Sequence, residues 1–313
     1  EIEDVFRTYG VLTREAGFYF YFSRKIRELR ECGHEGTARA YASSLRSMQR
    51  YLGKKDFPFI KLSSRIISDY QGKLLASGIC DNTIGFYLHN IKALFRKGCR
   101  EMGLELPCPF RDISIKTEKT LKRSLDPVVI KTLSAIELEK DSPLSLARDI
   151  FMFSFYTRGM SFVDIALLKK RHVFPGEICY RRHKTDQLMR VGINKEISRI
   201  LERYKNVPGE YIFPLFPAER DPYAGYRSAY HRIRYSLGKI SRVIGLEFPL
   251  RLHAARHSWA TIAKVNGASV HVIGECLGHT SEKTTRIYLK ELDHSALDAV
   301  NNQVADFILA VDD

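Results

Sequence analysis

Leu252-His253-Ala254-Ala255-Arg256-His257 is followed by Leu277-Gly278-His279 and, nine residues later, by Tyr288. His253 and Arg256 are three apart, so they share one face of a helix. An arginine forks onto two oxygens of one phosphate, and a histidine donates to a third or shuttles a proton. A phenol, with an ordinary pKa near ~10, attacks only where cations stabilise its anion. His279 falls at a turn ahead of a short helix that Thr280 or Ser281 could cap. Taken singly, each residue has a plainer reading. H-x-x-R is a common spacing, a His after Gly is ordinarily structural, and one Tyr among 16 is ordinarily a packed aromatic. Together, in this order, they suit phosphoryl transfer to a protein hydroxyl, chemistry that needs no acidic metal cage.

Upstream, the segment 172–193 has strand character. His172-Val173-Phe174 ends at Pro175-Gly176, and Ile178–Lys184 and Leu188–Ile193 flank a turn at Thr185-Asp186-Gln187. By period two, Ile178, Tyr180, Arg182 and Lys184 share one strand face. Lys184, near the hairpin tip, could protonate a leaving oxygen or be an ordinary turn lysine. Residues 127–168 and the chain from Glu196 onward read as helical. Ser124-Leu125-Asp126-Pro127 resembles a helix start. The tail from His294 places Leu297, Val300, Val304, Phe307, Ile308 and Val311 at helical spacing.

Residues 1–105 read as helical too. Thr37–Leu52 carries Ala40, Tyr41, Leu45, Met48 and Leu52 at apolar positions and Arg39, Arg46 and Arg50 on another face. Thr83–Met102 repeats the plan: Ile84, Leu88, Ile91 and Phe95 lie opposite Lys92, Arg96 and Arg100. One basic stripe is usually a solvated face. Two in one segment suit a phosphate backbone. Pro107, Pro109 and Phe110–Arg123, with Lys116, Lys119 and Lys122, read as a basic linker.

The whole chain has 313 residues, 44% hydrophobic residues and a formal charge of +14, enough for two ordinary domains with a bias toward polyanions. Residues 1–123 hold 23 Lys+Arg against 14 Asp+Glu, and residues 124–313 hold 27 against 22, so the first part is the more basic. The six cysteines form no C-x-x-C pair, which argues against a zinc site. Their scatter fits reduced thiols in a cytosol. No apolar run approaches the ~20 residues that span a bilayer.

With these residues in place, the chain resembles the tyrosine recombinases of the phage integrase family over nearly its whole length. Phe155-Tyr156-Thr157-Arg158-Gly159-Met160-Ser161-Phe162-Val163-Asp164 and Tyr180-Arg181-Arg182-His183-Lys184-Thr185 are similar to the integrases of Bacteroides-type mobile elements. The resemblance implies a mainly α protein with a small antiparallel β-sheet, built as a two-domain, C-shaped DNA clamp. A SAM-like helical core-binding domain would occupy 1–106 and an interdomain linker 107–123. The catalytic domain would occupy 124–313, with a C-terminal helix at 294–311 that docks on a neighbouring protomer. It implies a site-specific DNA recombinase of integrase or invertase type. Tyr288 would be the nucleophile, giving a 3′-phosphotyrosine and a free 5′ hydroxyl. Arg256 and His253 would hold the non-bridging oxygens, His279 would assist, and Lys184 would be the general acid.

DNA contacts would come from Arg39, Arg46, Arg50, Lys92, Arg96, Arg100, Lys119 and Lys122. Because the phosphotyrosine conserves the bond energy, no metal or nucleotide cofactor is implied. The implied partners are a double-stranded recombination site, a homo-tetramer on two DNA sites formed from protomers that are monomers in solution, and optionally an accessory DNA-bending protein. The implied location is the bacterial cytoplasm, at the nucleoid.

The chain departs from the family pattern once. Where a first catalytic arginine is expected three residues before an acidic residue, Ser161 precedes Asp164. Arg158, in the same turn, and Arg182, on the strand face of Lys184, are the candidate replacements, with Arg158 ahead on sequence proximity. Two rival functions remain open at this point: a type IB topoisomerase-like relaxation by the same chemistry, and a non-catalytic DNA-binding relative that keeps the fold.

Overall fold

Five aromatic residues in a row, Phe18-Tyr19-Phe20-Tyr21-Phe22, open the first helix. Only Phe20 points outward; the other four are buried. A computed structural model of the protein describes residues 17–116, 118, 124–216, 222–279, 281 and 284–286. It divides into two compact units, Glu1–Thr120 and Leu121–Asp313.

The first unit is helical: α1 (Phe18–Glu31), α2 (Glu35–Leu52), α3 (Ser64–Ala76) and α4 (Asp81–Glu101). The apolar stripes expected on α2 and α4 face its core, where Met48, Ile84, Leu88, Ile91 and Phe95 are buried. Phe59 stacks on Phe95 with centroids 5.3 Å apart. It reaches that position because Gly98 has no Cβ, which would lie 2.4 Å from the Phe59 ring. Buried Lys25 is neutralised by Glu28 at 2.6 Å and Glu101 at 2.7 Å, as a buried charge must be. The strip expected as a linker from 107 begins later. Phe110 is in the core, Gln71 donates to the Ser114 carbonyl at 2.9 Å, and Asn82 and Glu118 exchange two hydrogen bonds. Burial of Phe110 outweighs the polar composition around it.

The second unit is mainly α around a small sheet. Its elements are α5 (Pro127–Ala135), α6 (Pro143–Tyr156), α7 (Phe162–Ala166), β1 (Val173–Phe174), β2 (Glu177–Arg181), β3 (Leu188–Gly192), α8 (Lys195–Arg203), α9 (Pro222–Val243), α10 (Leu252–Val265) and α11 (Val270–Leu277). Asp126 caps α5 by accepting from the Val128 N–H, with Pro127 in the first turn, as the sequence suggested. Helix α6 is buried on most sides and packs against α9 and α10. The sheet is antiparallel in the order β1-β2-β3, with Ile178 opposite Val191 and Tyr180 opposite Met189. These four face inward while their neighbours are more exposed.

Two expectations about this unit change. Strand β2 ends at Arg181 rather than Lys184. The Arg182 carbonyl accepts from Thr185 and Asp186, Asp186 has φ +53°, and the loop 182–187 curls into a turn. The period-two argument for Arg182 and Lys184 therefore does not apply. The chain after Glu196 is also not continuously helical. Residues 204–216 form turns and an isolated bridge between Lys169 and Tyr211.

Candidate active site

The site is organised by Arg256, a guanidinium on α10 that is only 5% exposed. Its Nη1 donates to the Gly159 carbonyl at 2.8 Å, and its Nη2 donates to the Leu277 carbonyl. Nη2 also lies 2.9 Å from His279 Nε2. Fixing a long side chain at three points removes the rotamer freedom it would otherwise lose on gripping a ligand. Gly159 makes this possible. It has φ +76°, and a Cβ there would sit 2.6 Å from Arg256 Cγ and 2.9 Å from its Cα. Only glycine admits both the left-handed turn and the close approach.

His279 is placed by the end of α11. Gly278 is left-handed at φ 63°, its N–H bonds the Glu275 carbonyl, and the His279 N–H bonds the Gly274 carbonyl. This closure turns the chain sharply at the helix end. Arg256 can only donate, so His279 Nε2 accepts and the ring proton sits on Nδ1. Nδ1 then donates to Thr285 Oγ at 3.0 Å. Burial first, then the charges of Arg256, Arg182 and Lys184, push the His279 pKa down to about 4. His253 is also held near 4, by enclosure first and then by His257, Arg256 and Lys184. His253 itself is an exposed residue, with the charges of Arg256 and Lys184 acting on its ring. Its ring meets His257 edge-on with centroids 4.8 Å apart. Both imidazoles are neutral at pH 7.

The β2–β3 loop adds two more cations. Arg182 Nη1 donates to the Gly278 carbonyl, and Lys184, exposed on the same loop, acts electrostatically on both His253 and His279. The loop is tied down by Asp164, a carboxylate 5% exposed. Asp164 accepts from the His183 N–H at 2.8 Å and from Ser161 Oγ at 2.6 Å. Arg158 has φ +60°, its Nη1 reaches the Arg190 carbonyl at 3.5 Å, and its charge acts with those of Arg182 and Arg256 on the buried Tyr180 phenol. Beside Arg256 and His253 is a cavity of about 230 Å³, walled by Phe162, Tyr226 and Tyr230 and bordered by Ser161. Tyr288 and the tail at 294–311 lie outside the described residues.

A guanidinium locked among carbonyls, a second one on a tethered loop, a lysine and two neutral imidazoles can hold a phosphate and move a proton. A profile of the phage integrase family matches residues 124–294, more than half of the chain. The chain belongs to the phage integrase family.

A phage integrase SAM-like domain matches residues 17–110. Among curated members of the family, the tyrosine recombinase XerC of Shewanella oneidensis is 26% identical over 226 residues, covering 69% of this chain and 70% of that protein. XerD of Pseudomonas putida is 24% identical over 262 residues, 81% and 86% of the two chains. Among solved structures, the Tn1549 transposon integrase bound to transposon right end DNA superposes with a TM-score of 0.67 at 15% identity, over 92% of this chain and 99% of that one. A lambda integrase fragment bound to a core site gives 0.64 at 16%, over 87% and 95%. The fold is shared; at these identities the side chains must be read from this chain itself.

Outside the cluster, this family member exposes Arg46, Arg50, Arg96 and Arg100. Arg39 is tied to Glu35 at 2.6 Å, and Lys92 sits 5.9 Å over the Phe110 ring. Lys119 and Lys122 fall outside the described residues. Sequence reasoning missed Thr285, which orients His279, and the role of Asp164 as the anchor of the loop. Asp164 was visible as the acidic residue of the family pattern; Thr285 carried no signal.

Proposed function

We propose that this chain is a site-specific DNA recombinase that breaks and rejoins strands through a 3′-phosphotyrosine on Tyr288. The observation that carries this reading is the convergence of Arg256, Arg182, Lys184, His253 and His279 from two helix ends and one tethered loop. Arg256 binds non-bridging oxygens of the scissile phosphate, and preorganised donors stabilise the charge that develops there. His253, neutral at pH 7, donates a hydrogen bond without adding charge, and His279, held by Thr285, accepts from Arg256 and keeps its guanidinium oriented. Lys184 protonates the leaving 5′ oxygen. Arg182 supplies the guanidinium missing at Ser161, in preference to Arg158, because it borders His279 while Arg158 reaches toward Arg190.

Residues 1–106 form the core-binding domain and 124–313 the catalytic domain, joined through the strip before Ser124. Arg46, Arg50, Arg96 and Arg100 contact the DNA backbone. Protomers assemble as a tetramer on two sites, with 294–311 docking between neighbours, in a bacterial cytoplasm. The wording of residues 155–164 and 180–185 supports service to a mobile element of the Bacteroides type.

Incubation with a pool of nicked duplexes tests the chemistry. A denaturant-stable protein–DNA band is expected, absent in Tyr288→Phe, and sequencing of its DNA would give the site. A band that persists in Tyr288→Phe would end the reading.

A further inference from the structure

The outer face of α9 holds a second cation cluster. A cleft of about 300 Å³ is lined by His231, Arg234, Tyr235, Gly238, Arg242 and Arg251. The inner face of the helix is spent on the core through Ala229, Ile233, Leu237 and Ile240. Residues 231, 234, 235, 238 and 242 fall at helical spacing on the opposite side. Gly238 forms an open floor, with nothing within 4 Å of where its Cβ would be. Lys239 adds its charge, 4.7 Å over the Tyr235 ring, and Tyr235 is 65% exposed.

Among the described residues no ion pair involves Arg234, Arg242 or Arg251. Cations gathered in a concave surface without acids repel one another and concentrate anions. The cleft also adjoins the catalytic cluster. His231, on its wall, packs against Tyr230 with centroids 6.0 Å apart, and Tyr230 walls the cavity beside Arg256. Arg251 is the extended N-cap of α10, five residues before Arg256 on the same helix, so the cleft and the cluster share one helix start.

We propose that this cleft grips backbone phosphates flanking the scissile one, so that α10 meets the duplex in a fixed register. The inference rests on the recombinase reading for the identity of the duplex. It extends that reading to residues outside the catalytic cluster.

The test is binding of a short random-sequence duplex, followed by anisotropy against salt concentration. Arg234→Gln with Arg242→Gln changes two exposed side chains and leaves the core intact, which thermal melting would check. Each lost phosphate contact lowers the slope of log affinity against log salt by about 0.9, so a drop of about 1.8 is expected. Arg199→Gln on α8 with Lys205→Gln in the turn after it removes the same charge elsewhere and should leave the slope nearly unchanged. An unchanged slope in the cleft variant, or an equal drop in the α8 control, overturns the proposal. Failure of the wild-type chain to form any adduct overturns the recombinase reading instead, and leaves the slope comparison intact.

Discussion

The two units handle positive charge in opposite ways. In the first, Arg46, Arg50, Arg96 and Arg100 stand in solvent on helices whose cores are finished without them. In the second, Arg256 is buried and bonded to the carbonyls of Gly159 and Leu277. Exposed cations act as independent point charges, screened by salt and replaceable one at a time. A buried guanidinium is part of the architecture; it is already oriented, and its removal leaves carbonyls without donors. The same residue type therefore supplies graded affinity in one place and all-or-none chemistry in the other.

That contrast can be broken by substitution. Arg256→Ala should lower single-turnover cleavage by at least about 10³-fold, the scale of a lost preorganised donor, and should lower the melting temperature as well. If cleavage falls less than tenfold, the buried side is no different from the exposed one. Arg182→Ala should cost about 10²-fold in the same assay, while Arg158→Ala should change it less than about threefold; the reverse order would hand the missing guanidinium to Arg158. Gly159→Ala puts a Cβ against Arg256 at a left-handed position and should destabilise the chain by about 1–3 kcal/mol, read by denaturant unfolding. Wild-type-like stability there would mean that the turn and Arg256 can move apart.

Arg96→Gln should weaken DNA binding only a few-fold and lower the salt slope by about 0.9, with adduct yield at saturation unchanged. The smallest effect is in pH. The folded pKa values of His253 and His279 are depressed to about 4 from an ordinary 6.5, so below pH 6.5 the unfolded chain binds more protons. Their contribution to stability is complete above pH 6.5 and is lost as pH falls toward 4. NMR titration of the DNA-free protein should find both rings neutral at pH 6. A midpoint above 6 for either would contradict the enclosure described for it.

The helices and the hairpin were legible because their signals are local. The apolar spacing of α2 and α4, the Asp126-Pro127 start and the turn near Asp186 each sit within a few residues. His253, Arg256 and His279 were legible together, since H-x-x-R and L-G-H lie close in sequence, while Tyr288 lies outside the described residues. What could not be read depends on distant pairs. Phe110 joins a core whose other members lie mostly before Gly103, so its polar neighbours made it look like linker. Arg182 and Lys184 were assigned to one strand face by period two, but the ladder stops at the Arg182–Gln187 bond, and the next N–H, of His183, donates to Asp164, 19 residues away. The α9 cluster at Arg234, Gly238 and Arg242 went unread in the sequence, although it has the same i, i+4, i+8 spacing as the stripe on α4.

The tether from Asp164 to the loop has one further consequence. It engages the main-chain N–H of residue 183, a group that nineteen of the twenty amino-acid types possess. The loop can therefore drift in composition over generations while its anchorage persists. Proline alone would sever it, so the permitted spelling of this loop is wide in side chains and narrow in one backbone requirement.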